Sequence, residues 1–144
     1  MLPIYTTDNI IDFLKDYSGN EEINADTDIF RDLGMDGDDF HEMMDAYAKK
    51  YNVDMSSYLW YFHGNEEGGK NSLGSVFFKP PYERVERIPL TPSLLTEFAN
   101  NGSWSIDYPE HTLPKRRYDT MINFIALCLV VVWGVIWAVN KYLL

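Results

Sequence analysis

Residues 120–139 read Thr-Met-Ile-Asn-Phe-Ile-Ala-Leu-Cys-Leu-Val-Val-Val-Trp-Gly-Val-Ile-Trp-Ala-Val, twenty positions without a formal charge. Wound as a helix at ~1.5 Å per residue, the run covers roughly 30 Å, the thickness of a bilayer's hydrocarbon layer. A chain of 144 residues has no interior able to cover an apolar cylinder on all sides. The run is therefore read as a membrane-spanning helix over 119–140, following a basic linker at 109–118 and leaving a short tail at 141–144. Lys115, Arg116 and Arg117 precede the span and only Lys141 follows it. That asymmetry predicts a single-pass, tail-anchored arrangement with the N-terminal domain, residues 1–108, in the cytoplasm. Tyr118 and Tyr142 flank the span as interfacial residues. Gly134 and Ala138, four apart, provide a small-residue surface for packing against another transmembrane helix. Trp133 and Trp137 form a parallel stripe that reads equally well as lipid-facing. Asn123, about one turn inside the span, is read as reaching water and as having no functional role.

The charge is as uneven as the hydropathy. The chain carries 22 acidic and 12 basic side chains, a net charge of −10. Residues 1–54 hold 14 of the acids and 4 of the bases, so that segment accounts for the whole imbalance. Such a surface repels nucleic acid and anionic lipid and attracts basic protein patches. The single cysteine, Cys128, lies in the apolar run, so neither an intrachain disulfide nor a cysteine-based metal site can form. The first twenty residues have no basic region leading into an apolar core, and no secretory signal is read there.

Apolar spacing predicts a helix over 8–18, with Thr7 as N-cap, Gly19 as stop, and Ile10, Ile11, Leu14 and Tyr17 on its buried face. A long loop, 19–35, offers Ile23, Ile29, Phe30 and Leu33 to the core. The clearest helix is 38–51. Phe40, Met43, Met44, Tyr47 and Tyr51 make one apolar stripe, with Asp38, Asp39, Glu42 and Asp45 opposite and Lys49 and Lys50 in the last turn, complementing the helix dipole. Ser56-Ser57 is read as the cap of a short third helix. Residues 63–75 read as an exposed, mobile loop. Val76-Phe77-Phe78 reads as a short strand able to pair with 82–88. Thr91-Pro92 starts a helix ended by Asn100-Asn101-Gly102, followed by an extended arm through Trp104, Ile106 and Tyr108.

The segment Asp26-Thr27-Asp28-Ile29-Phe30-Arg31-Asp32-Leu33-Gly34-Met35-Asp36, followed by the acidic helix 38–51, resembles the loop and second helix of acyl carrier proteins. Arg87-Ile88-Pro89-Leu90-Thr91 resembles the entry to that family's last helix. The likeness covers about 8–58 and 87–100. More closely, the chain resembles a bacterial group of carrier-like proteins of unknown function. It implies a mainly α fold: a small acyl-carrier-like helical bundle with an insertion at 59–86 containing a loop and short strands, plus the C-terminal transmembrane helix. In carriers a serine after the Leu-Gly-x-Asp motif holds phosphopantetheine. Here Gly37 occupies that position and has no hydroxyl, so the resemblance implies a pseudo-carrier without the cofactor. It further implies that Asp36, Asp38, Asp39, Glu42 and Asp45 form the surface that docks onto basic partner proteins, and it places the chain at a bacterial inner membrane.

Other chemistry finds little in the residues. With Asp32 as the first position of an EF-hand loop, Gly37 falls correctly but Met43 stands where a bidentate Glu is required. His41, His63 and His111 are widely spaced, which gives no zinc pattern, and His41 is read as solvated. Neither a phosphate loop nor a nucleophile elbow is present. The expectation is a non-enzymatic, membrane-tethered module with no catalytic residue, metal or cofactor. Its partner would be a basic protein surface, itself a membrane protein. The alternatives are an acyl carrier modified elsewhere and serving a membrane acyltransferase, or an acidic inhibitor of the immunity type.

Overall fold

Five helices carry the chain in a computed structural model, which describes residues 4–69 and 71–142: α1 Thr7–Ser18, α2 Gly37–Tyr51, α3 Leu73–Phe77, α4 Pro92–Asn101 and α5 Tyr118–Tyr142. Short 3-10 turns lie at Trp60–Phe62 and Pro81–Glu83. The last two residues of the expected tail, and Lys70 of the expected loop, lie outside the described residues.

Helix α1 starts one residue earlier than expected. Thr6, not Thr7, is the N-cap: its hydroxyl accepts the Asn9 N–H at 3.3 Å, and Asn9 Oδ1 accepts the Thr6 N–H at 3.0 Å. This reciprocal pair satisfies two otherwise orphaned donors. Gly19 ends the helix in the left-handed region, as expected. The buried face turns on Ile10, Phe13 and Leu14, while Tyr17 remains 38% exposed. Phe13 replaces Tyr17 because it meets α2, with its ring 6.4 Å from Tyr47 and 5.8 Å from Tyr51.

The α2 stripe is buried along its whole length: Phe40, Met43, Met44, Tyr47 and Tyr51. Each such side chain contributes roughly 1.5–3 kcal/mol of transfer free energy when fully removed from water. Its two tyrosines also fasten the neighbouring helices. Tyr47 donates its hydroxyl to the Leu95 carbonyl of α4, and Tyr51 donates to the Asn9 carbonyl of α1 at 2.9 Å. Burial raises both phenols above their ordinary range, so they remain donors. The 19–35 loop closes one end of the core with fully buried Ile29 and half-buried Ile23, Phe30 and Leu33. A two-pronged ion pair from Arg87 to Asp28 holds that loop to the segment entering α4, together with a 3.0 Å bond from Ile29 N–H to the Leu90 carbonyl. Burial alone would raise the Asp28 carboxyl, but hydrogen bonds from Arg87 and the charge behind them hold it below its ordinary value.

The 59–86 region departs from expectation. Among the described residues there is no strand; a single parallel bridge joins Asp54 and Ser103. Val76 and Phe77 lie in α3 instead. Ser72 caps that helix by accepting the Ser75 N–H at 3.2 Å, and Gly74 lets it lie against α5. Ser56 and Ser57 cap no helix, and Ser57 donates to the Trp104 carbonyl at 2.7 Å. The Trp104 arm is extended and ends the core with its indole buried. His63 does not begin an exposed loop. It is buried, stacked on Tyr58 at 5.6 Å and edge-on to Trp104 at 5.4 Å. Its Nδ1 faces the Ile88 carbonyl at 2.9 Å and must donate. Its Nε2 then accepts from the Tyr108 hydroxyl at 2.8 Å, an oxygen that itself accepts N–H bonds from Leu59 and Trp104. This network requires the neutral imidazole.

Burial pushes His63 down to about 4, with the Arg87 charge adding to the effect and the Ile88 hydrogen bond opposing it. The unfolded chain binds this proton near the ordinary value of 6.5. The contribution is therefore complete above pH ~6.5, and it is lost as the pH falls towards ~4. Its size is about 3 kcal/mol by the usual conversion. Urea unfolding of the detergent-solubilised chain should show stability falling over that window, and the His63→Phe variant should flatten the slope.

Candidate functional site

The acidic face of α2 is open. Asp36, at the N-cap, makes no side-chain capping bond and is exposed. Asp38, Asp39, Glu42 and Asp45 project from the first half of the helix and are also exposed. Among the described residues none of the five forms an ion pair. The surface follows from the helical period: the apolar stripe turns inward to α1 and α4, so the intervening carboxylates must face outward. Tyr17 of α1 borders this face. Partial burial, then the charges of Glu42, Asp39 and Asp45, raise its hydroxyl above the ordinary value.

Gly37 opens the helix and answers a geometric need. Its φ is +54°, and its N–H donates to Asn65 Oδ1 at 2.7 Å. A Cβ at this position would lie 2.3 Å from Glu67 Cγ. Glycine stands here because the backbone enters α2 through the left-handed region against the 63–69 segment. His41, expected to be solvated, is half-buried beside it, with Nε2 3.0 Å from the Asn65 carbonyl oxygen and its ring edge-on to Trp60.

The acidic face continues towards the start of α5. Asp38, His41, Asp45 and Trp60 line an open cleft whose far side is Glu66 and Arg117. Asp38 also borders an adjoining depression with Glu67, Thr120 and Asn123. Arg117 sits between two carboxylates. Nη1 and Nη2 reach Glu66 at 3.0 and 2.7 Å, and Nε and Nη2 reach Asp119 at 2.9 and 2.6 Å. Its hydrogen bonds to the carboxylates of Asp119, then Glu66, hold the guanidinium above its ordinary value despite partial burial. A second fastening lies beside it: Asn123 Oδ1 accepts the Gly74 N–H at 2.7 Å. Asn123 therefore joins α5 to α3 instead of reaching for water. An amide inside an apolar run was the available signal, because such a group needs a partner. Glu66 and Gly74 carried no comparable signal, since their partners lie about 50 residues away.

Helix α5 is long and apolar enough to cross a membrane, and its apolar window is unburied within the chain. It begins at Tyr118 and runs to Tyr142, slightly beyond the expected 119–140. The 109–117 segment has no helix but is held to the domain, with His111 2.7 Å from the Tyr61 hydroxyl and edge-on to Phe62. Gly134 and Ala138 lie far from the acidic face, and a Cβ at Gly134 would meet nothing within 4 Å. No group of three or more His, Cys, Asp or Glu suited to a metal occurs among the described residues.

The chain belongs to the family described as Protein of unknown function (DUF1493), whose model matches residues 6–107. No curated protein and no solved structure matches it. The matched family is not an acyl carrier protein family, which overturns the carrier resemblance and with it the notion of a lost attachment serine. Gly37 is accounted for by its backbone instead. Gly37→Ala should lower stability by about 1–2 kcal/mol, the cost of a left-handed residue with a Cβ. The readout is a lower urea midpoint at unchanged slope.

Proposed function

We propose that this member of a family of unknown function is a membrane-tethered, non-enzymatic interaction module, which docks the acidic face of α2 onto a basic patch of a membrane protein. The observation that carries this reading is the set of five exposed carboxylates at the start of α2 that form no ion pair among the described residues, continuous through Asp38 with the depression bordered by Thr120 and Asn123. Carboxylates left unneutralised at a surface steer a cationic partner and raise its association rate. The position of Asp38 beside Thr120 and Asn123 of α5 favours a partner that is itself at the membrane. Tethering adds to this by raising the local concentration of the two proteins. The exposed Lys115 and Arg116 ahead of α5, against Lys141 at its end, support a cytoplasmic placement of the domain. Gly134 and Ala138 offer a second contact, within the bilayer, for a helix of the same partner.

Charge reversal at Asp39, Glu42 and Asp45 should abolish co-purification of the partner from detergent-solubilised membranes and leave the circular dichroism spectrum unchanged. Because the acids form no ion pair among the described residues, each reversal should cost little stability, about 0.5 kcal/mol, with a further loss of similar size at Asp39, which lies in the first turn where acid favours the helix dipole. Undiminished co-purification with a folded variant would contradict the docking role.

A further inference from the structure

We infer that residues 73–84, together with Arg116, form a collar that contacts the lipid surface beside α5, with the apolar face of α3 in the headgroup–acyl boundary and Lys79, Arg84 and Arg116 on the phosphates of anionic phospholipid. The inference rests on α5 spanning a bilayer and is independent of what α2 docks onto.

The first observation is the distribution of exposed apolar side chains. Among the described residues outside α5, the large hydrophobics left in the open are Ile4, Tyr17, Leu73, Val76, Phe77 and Phe78. Four of these six fall in one stretch of six residues, with exposures of 53%, 74%, 66% and 41%. A contiguous apolar surface of this kind on a small domain marks a contact site.

The second observation fixes its depth. Helix α3 is held to the opening turns of α5 by three contacts. Gly74 donates its N–H to Asn123 Oδ1, and a Cβ on Gly74 would lie 1.8 Å from the Asp119 carbonyl oxygen, so the two backbones touch. The Phe78 ring packs 5.4 Å from that of Tyr118. Asn123 is three residues into the uncharged run, about 4.5 Å along the axis from Thr120. The face of α3 thus sits at the level where the apolar span begins. An interfacial helix buries its apolar side at this boundary, typically ~5–10 Å deep. Continuity with α5 is what selects lipid as the occupant.

The third observation is charge. Below α3 lies a depression lined by Phe78, Lys79, Pro81, Arg84, Arg116 and Tyr118. Lys79, Arg84 and Arg116 are exposed and take part in no ion pair among the described residues. Arg84 is steered by its Nε bond to the Lys79 carbonyl at 2.6 Å. Asp119, the acid in this depression, is already neutralised by Arg117. Three free cations next to apolar rings match a phosphate layer over acyl chains.

Site-directed spin labelling of the full chain tests this. In a Cys128→Ala background, nitroxides are placed through Phe77→Cys, Val130→Cys and Asp16→Cys, and the protein is reconstituted in vesicles of phosphatidylcholine with phosphatidylglycerol. The label at 77 should be relaxed more by oxygen than by an aqueous nickel chelate, as at 130, with the reverse at 16. A label at 77 that prefers nickel while 130 prefers oxygen overturns the collar and leaves the spanning helix intact. Nickel preference at both positions overturns both readings. Shielding of 77 from both reagents indicates protein contact and overturns the lipid assignment. Joint reversal by Lys79→Glu, Arg84→Glu and Arg116→Glu should lower the oxygen-to-nickel ratio at 77 roughly twofold or more in these vesicles, but not in phosphatidylcholine alone. The label at 130 should be unaffected. An unchanged ratio at 77 overturns the phosphate contact.

Discussion

One guanidinium fastens the helical domain to the helix suited to cross the membrane. Arg117 grips Glu66 from the domain and Asp119 from the first turn of α5, each through two hydrogen bonds. Asp119 is nearly buried, and an unpaired carboxylate there would be strongly unfavourable, so the arrangement requires its cation. The planar fork also sets orientation: four hydrogen bonds from one rigid group to two carboxylates leave little freedom in how the domain leans on α5. A lysine would preserve the charge and lose that geometry. The Gly74–Asn123 bond acts beside it, where glycine alone permits backbone contact with Asp119.

The consequence is a sorted surface at the membrane end of the domain. Through Glu66 the joint positions the cleft that it shares with Asp38 and Asp45 of α2, and through Asp119 it positions α3 and the cation-lined depression near Phe78. Acid and base are thus held at defined places around the start of α5. An acidic face close to anionic lipid is repelled by it, and a basic one is drawn in. On the proposed reading the domain rests on lipid through one region and keeps the carboxylates of α2 available for protein.

Much of this was legible in the sequence, and the parts that were not share a cause. The α2 stripe declares itself because helical period, dipole-matched charge and burial all agree. The α5 run does so because twenty uncharged residues make a helix long and apolar enough to cross a membrane. Val76-Phe77-Phe78 reads as a strand by local propensity, yet its structure is set by α5, about 45 residues further on, and its apolar side chains serve no core. His63 follows Trp60-Tyr61-Phe62 and precedes Gly64 and a polar stretch, so composition suggests the start of a loop. Its burial depends on Tyr108 and Ile88 arriving from distant segments. Gly37 illustrates the opposite error, where a motif-based analogy took the residue for a vanished serine although a positive φ explains it. In each case a long-range partner overrode the local signal.

Arg117 is what holds the acidic helix in a fixed orientation relative to α5. Pulsed electron paramagnetic resonance between nitroxides at Lys49→Cys on α2 and Phe124→Cys on α5, in a Cys128→Ala chain reconstituted in lipid nanodiscs, measures this directly. The account predicts one narrow distance distribution that broadens markedly when Arg117→Gln is added. A broad distribution with Arg117 intact, or a narrow one indifferent to its loss, would contradict it.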